Sequence, residues 1–185
     1  MVRAALTLHP NARCWAVEGI EVGIERSGER ALTLAYRLTG ETGALRLPPL
    51  AASTRGDQLW RHTCFEAFIQ APDAGGYWEF NLSPSTRWAA YRFSGYRSGM
   101  SQADAIAAPR IKVQVDKGQM SLAASLDLAS LPDLPADQPW RLGLSAVIEE
   151  ADGNVSHWAL AHPPGKADFH HALGFALDIP ATEGP

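Results

Sequence analysis

The sequence predicts an all-β fold, an antiparallel β-sandwich of jelly-roll or immunoglobulin-like type with about a dozen strands. Three observations carry that expectation. Apolar and polar residues alternate in short runs along most of the chain. Clusters of Gly, Pro, Asn, Asp and Ser punctuate those runs at the spacing of all-β proteins. No apolar pattern of helical period extends beyond about two turns, so the strand–helix alternation that a parallel sheet needs is missing. A closed barrel is the main competitor.

The elements follow in order. Leu6 and Leu8 alternate with Thr7 until Pro10 stops the run. Residues 15–38 read as a long hairpin: Ile20, Val22 and Ile24 share a face, Ser27, Gly28 and Glu29 turn the chain, and Leu32, Leu34, Tyr36 and Leu38 return. Residues 45–47 predict a short strand before Pro48. Three adjacent strands are expected between residues 57 and 97. The segment 94–109 is the longest irregular stretch, of the kind that serves as a lid or a plain connection, with a helical turn expected over 102–108. Residues 111–115 and 120–128 pair across a turn at Asp116 to Gly118. A proline-rich loop spans 131–139, and residues 140–149 and 155–161 pair across Asp152 and Gly153. The loop 162–168 precedes a last strand at 173–179. A single domain over 1–180 with a tail at 181–185 suits a chain of 185 residues.

Composition narrows the function. Hydrophobic residues make up 46% and charged residues 19%, an ordinary globular balance. The net charge of -4 gives no basic excess to neutralise phosphates, which argues against nucleic acid as a partner. No apolar run approaches the roughly 20 residues of a membrane-spanning helix. The first ten residues lack the apolar core of a signal peptide, and Cys14 and Cys64 stand apart as expected buried free thiols. Both features point to a cytoplasmic location. The motifs of nucleophile elbows, phosphate loops, dinucleotide folds and zincins are absent from the sequence.

The stretch 57–97 carries more polar and aromatic chemistry than a plain core needs. Alternation places Cys64, Glu66 and Phe68 on one face of its first strand and Phe65, Ala67 and Ile69 on the other. In the second strand Tyr77, Glu79 and Asn81 oppose Trp78, Phe80 and Leu82. In the third, Trp88, Ala90 and Arg92 oppose Ala89, Tyr91 and Phe93. A mixed face of this kind is either solvated or lines a ligand groove. Glu66 and Glu79 suit the two-carboxylate chemistry of glycoside hydrolysis. They also suit pairing with Arg61, Arg87, Arg92 or Arg97, or accepting hydrogen bonds in a binding groove, and that non-catalytic role is the favoured expectation. His162, Asp168 and His170 form the one cluster with metal-ligand chemistry, although the adjacent His170 and His171 would point apart on an extended chain. Haem held by a Met and a His, drawing on Met100 or Met120, is a weaker option. No cofactor is the main expectation. Trp60, Trp78, Trp88 and Trp158 are either core residues or flat platforms for a sugar ring.

Several of these residues carry a family resemblance. The run from Leu59 and Trp60 through Cys64, Phe65, Glu66, Ala67, Phe68 and Ile69 is its first part. It continues in Tyr77, Trp78, Glu79, Phe80, Asn81, Leu82, Ser83 and Pro84, then Trp88 to Tyr91 and Tyr96 with Arg97. This pattern resembles the DOMON-like domains, which are related to the family-nine carbohydrate-binding modules. The later segment from Trp158 through His162 to His170 resembles the closing segment of stand-alone bacterial DOMON-like proteins. The resemblance implies a β-sandwich that binds a small ligand, a sugar or haem, on one face. For this chain it implies non-catalytic binding, most plausibly of a carbohydrate. Trp60 or Trp158 would stack on the ligand. Glu66, Glu79, Asn81, Arg92 and Arg97 would hold it, with the loop of His162 closing the site. A hydrolase, a haem-binding domain and a protein-interaction module are the alternatives.

Overall fold

Short alternating segments become strands throughout. The computed structural model describes residues 1–28, 30–72, 74–131 and 133–182. Glu29 of the first predicted turn, Pro132 of the proline-rich loop and 183–185 of the predicted tail lie outside them, as does Asp73. Twelve strands form among the described residues. These are β1 (Val2–Leu8), β2 (Val17–Ser27), β3 (Ala31–Gly40), β4 (Cys64–Gln70), β5 (Tyr77–Leu82) and β6 (Trp88–Phe93). The rest are β7 (Ser101–Gln102), β8 (Arg110–Asp116), β9 (Gln119–Asp127), β10 (Trp140–Glu149), β11 (Val155–Ala159) and β12 (Leu177–Ile179).

All named strands pair antiparallel in one continuous path, β7-β6-β5-β4-β10-β11-β1-β2-β3-β9-β8, with β12 added to β10. The sheet curls so that its two halves face each other as the layers of a sandwich, and β1 belongs to both. Val2 to Leu6 pair with β2, while Thr7 and Leu8 pair with β11.

The core fills the space between the halves. Ile20, Val22, Leu34 and Tyr36 face inward from one layer, and Phe65, Ile69, Phe80 and Leu142 from the other. Tyr36 joins them directly. Its ring lies 4.8 Å from that of Phe65, and its hydroxyl donates to the Glu66 carbonyl at 2.8 Å. Tyr36→Phe is expected to cost about 1–2 kcal/mol, because a buried carbonyl loses a donor that water cannot replace. A urea-unfolding curve measures this directly.

The structure corrects the sequence in a few places. Residues 42–44 form a 3-10 turn and Leu45 makes a single bridge to Glu150, so no strand forms at 45–47. The expected helical turn at 102–108 is instead the short strand β7 followed by a turn. The last strand is only three residues, preceded by a 3-10 turn at Ala172–Gly174. Cys64 is buried as expected, but Cys14 is only half-buried; both are unpaired.

Candidate functional site

The outer face of the β4–β5–β6–β10 half is not solvated. It carries a second apolar cluster of Phe68, Tyr77, Ala89, Tyr91, Phe93 and Phe175, distinct from the inter-layer core. Against it lies a cleft of about 400 Å³, a size that takes a small ligand. Register explains the floor. Ser145 of β10, Glu66 of β4, Asn81 of β5 and Ala89 of β6 lie in one row across the sheet. Phe68, Glu79 and Tyr91 form the next row.

Two segments build the walls. One is the 3-10 turn Leu59–Arg61, which carries Trp60 to the mouth, 37% exposed and edge-on to Tyr91 at 6.0 Å. The other is made of the loops at 94–100 and 160–176, joined by Asp168. Its carboxylate accepts from Arg97 at 2.8 and 3.1 Å and from the Tyr96 hydroxyl. These hydrogen bonds hold the Asp168 carboxyl below its usual range despite its partial burial. Phe169 and His170 then line the cleft. Gly143 lets this segment lie close on the sheet, since a Cβ there would stand 3.1 Å from the Gly174 carbonyl oxygen.

Left-handed backbone occurs at three non-glycine residues among those described, Gln58, Thr86 and Arg97, with φ of 54°, 71° and 49°. Such residues are uncommon and cluster where geometry is imposed by function. Two of them set this cleft: Gln58 precedes the Trp60 turn, and Arg97 is itself a lining residue.

The polar groups are unusually placed. Glu66 and Glu79 are 3% and 5% exposed, and neither pairs with an arginine among the described residues. The arginine pairing expected for them therefore does not form. Glu66 Oε1 and the neighbouring Ser145 Oγ are buried with no hydrogen-bond partner. Glu79 Oε1 accepts from the Asn81 amide at 2.7 Å, and the Asn81 oxygen faces the Cys64 thiol at 3.9 Å. Glu79 Oε2 lies 3.8 Å from His170 Nε2. His170 Nδ1 in turn meets the Tyr77 hydroxyl at 2.8 Å.

Burial dominates the electrostatics. It pushes the Glu66 carboxyl well above the usual carboxylate range, reinforced by the Glu79 charge. It raises Glu79 to about 7, against the Asn81 hydrogen bond and the Arg97 charge. Burial and the Arg97 charge lower His170 to about 4, so its imidazole is neutral at physiological pH. Cys64 is pushed well up by burial and the Glu66 charge, which leaves it an inert thiol.

The residues singled out from sequence divide into two groups. Trp60, Glu66, Glu79 and Arg97 line the cleft, with Asn81 beneath it holding Glu79. The others lie elsewhere. Trp158 is 5% exposed in the inter-layer core, its indole donating to Ser156 Oγ, so it offers no stacking face. Arg92 is on the face opposite the cleft, paired with Asp133 at 2.9 Å and over the Trp78 ring. His162 stacks edge-on with His9 and meets the Thr7 carbonyl. His162, Asp168 and His170 are thus separated in role, and no group of three or more ligand-type side chains converges among the described residues. Of the methionines, Met100 lines the cleft and Met120 is core. Residues not singled out also contribute: Tyr91, Phe93, His157 and Phe169. For His157 the signal was the alternation of β11, which sets it opposite Trp158 in direction. Phe169 lies on a loop, placed by the Arg97–Asp168 pair.

Comparison with known proteins locates this architecture. No protein-family model matches the chain, nor does any curated protein. Among solved structures, a "putative carbohydrate-binding protein" from Bacteroides uniformis superposes with a TM-score of 0.66 and 12% identity, over 94% of this chain and 83% of that one. A family 9 carbohydrate-binding module from Caldicellulosiruptor kristjanssonii, in complex with glucose, superposes with a TM-score of 0.54 and 10% identity, over 95% and 81%. The chain has the fold of a family 9 carbohydrate-binding module. At these identities the likeness is one of fold, and the module fold here places its outer sheet face under the two loops described above.

Proposed function

We propose that this protein binds a carbohydrate in the cleft over β4, β5 and β6, as a non-catalytic module of DOMON-like type. One observation carries the reading: a buried carboxylate oxygen without a hydrogen-bond partner, Glu66 Oε1, on a residue that lines a cleft walled by Trp60, Tyr91, Phe93 and Phe169. Unsatisfied buried acceptors are costly, and sugar hydroxyls would satisfy them while the C–H faces of the ring meet the aromatic walls. The shared fold with sugar-binding structures and the residue resemblance to DOMON-like domains support the same conclusion. Trp60 supplies the exposed ring, Glu66 and Glu79 accept hydrogen bonds, and Arg97 fixes the wall.

Calorimetry against neutral, acidic and amino mono- and disaccharides tests it. Heat with no member of that set sinks the reading. Trp60→Ala is expected to weaken the best ligand by about tenfold and to remove most of the ligand-induced change in tryptophan fluorescence.

The placement of Glu66 and Glu79 on one face, both raised, favours a second reading, acid–base hydrolysis of a glycoside. That reading expects release of nitrophenol from nitrophenyl glycosides, abolished in both Glu66→Gln and Glu79→Gln. Binding without turnover separates the two.

A further inference from the structure

Two carboxyl oxygens of cleft-lining residues are left open: Glu66 Oε1 has no partner, and Glu79 Oε2 is 3.8 Å from His170 Nε2, beyond hydrogen-bond reach. The cations nearby are committed. Arg97 lies against Asp168, and Arg92 is on the other face with Asp133. The cleft thus holds two acidic side chains that no arginine or lysine contacts among the described residues, walled by aromatic rings. Tyr91 stands directly across from Glu79 in the register, with Trp60 edge-on to it. Two carboxylates without a third ligand do not make a metal site. They do suit an ammonium group, which brings three donors, no acceptor and one positive charge, and which aromatic faces attract.

Resting on the carbohydrate reading, we propose that the bound sugar carries a primary amine, with its ammonium held by Glu66 and Glu79 among the rings of Trp60 and Tyr91. A neutral sugar leaves the two buried acids to stay protonated; an ammonium gives both carboxylates a counter-charge. The other titratable groups around the pair do not compete. His157 and His170 are held neutral by burial, Tyr77 and Tyr91 are raised, Cys64 stays a thiol, and Arg97 cancels Asp168. Binding also carries a proton signature. Glu66 and Glu79 hold protons in the empty cleft that an ammonium displaces, so the complex forms with net proton release near neutral pH.

The test is calorimetry at pH 7 with D-glucosamine, D-glucose, N-acetyl-D-glucosamine and choline, in two buffers of different ionisation enthalpy. D-glucosamine is expected to bind at least about tenfold more tightly than D-glucose, with protons released. N-acetyl-D-glucosamine, which keeps the skeleton and loses the charge, is expected to lose that gain without any change to the protein. Glu66→Gln should bring D-glucosamine and D-glucose to within about threefold of each other. D-glucose or N-acetyl-D-glucosamine binding as tightly as D-glucosamine overturns the amine inference and leaves the carbohydrate reading standing. Choline binding with no sugar binding overturns the carbohydrate reading and keeps the cation pocket. No binding by any of the four overturns both. An unchanged preference in Glu66→Gln removes Glu66 as the counter-charge.

Discussion

Trp140→Ala is expected to destabilise the protein by about 3–5 kcal/mol, the range for deleting a large buried aromatic side chain. Trp140 is fully buried and packs in the inter-layer core, so the indole leaves a cavity that the rigid strand β10 cannot close. Its loss reaches further than the cavity. The Arg26 guanidinium lies 3.5 Å over the Trp140 ring and donates to the carbonyls of Pro135, Ala136, Gln138 and Pro180. The indole nitrogen donates to Pro135 as well, at 2.9 Å. One side chain therefore anchors the proline-rich loop through two routes. For a chain of this length the melting temperature should fall by roughly 10 °C or more. Urea unfolding with an unchanged slope and a lowered midpoint is the expected signature. A loss below about 1 kcal/mol would mean the core rearranges around the gap.

The second large effect is a pH dependence, read most directly by difference. Glu79 is raised from an ordinary 4.5 to about 7, so the folded state binds more protons than the unfolded state across that window. Its contribution to stability is fully present below 4.5 and is lost as pH rises through about 7. His170 runs the other way. It is lowered from 6.5 to about 4, so its contribution is present above 6.5 and lost as pH falls towards 4. Glu66 is raised by burial in the same direction as Glu79, so the two acids outweigh His170 and the parent loses stability as pH rises between about 4.5 and 6.5. Glu79→Gln removes one of them. Relative to the parent, the variant should gain roughly 3 kcal/mol of unfolding free energy between about pH 4 and pH 8. Its own profile should then be flatter than the parent's below about pH 6.5, where Glu66, still raised, and His170 oppose each other. Unfolding curves for both proteins across this range measure the difference; parallel profiles would show that Glu79 ionises normally.

Alternation made much of the site legible. It put Glu66, Glu79 and Asn81 on one face, and that is where they lie. The same rule applied inside β6 places Arg92 with Trp88 and Ala90, facing away from Tyr91 and Phe93. Applied to β11, it separates Trp158 from His157 and gives the cleft to the histidine. Composition alone favoured the tryptophan because its flat ring suits a sugar, but side-chain direction in a strand is fixed by parity and not by chemistry. What no local pattern encodes is a contact between loops. Arg97 and Asp168 are 71 residues apart, and their pairing brings Phe169 and His170 over the sheet. The missing strand at 45–47 has a local cause, since the chain there bridges Glu150 once and then leaves the ladder.

The double membership of β1 sets the order in which the chain can be completed during synthesis. Its upper flank is covered early, by β2 a few residues on. The flank at Thr7 and Leu8 waits for β11, and the Thr7 hydroxyl finds its partner carbonyl 152 residues later. Until then a short row of backbone donors and acceptors stands open on the nascent chain, beside an apolar face with nothing over it. Contacts so far apart in sequence slow folding, and an open edge is where a second nascent chain would add. Thr7 and Leu8 are thus the part of β1 whose ladder partners arrive last.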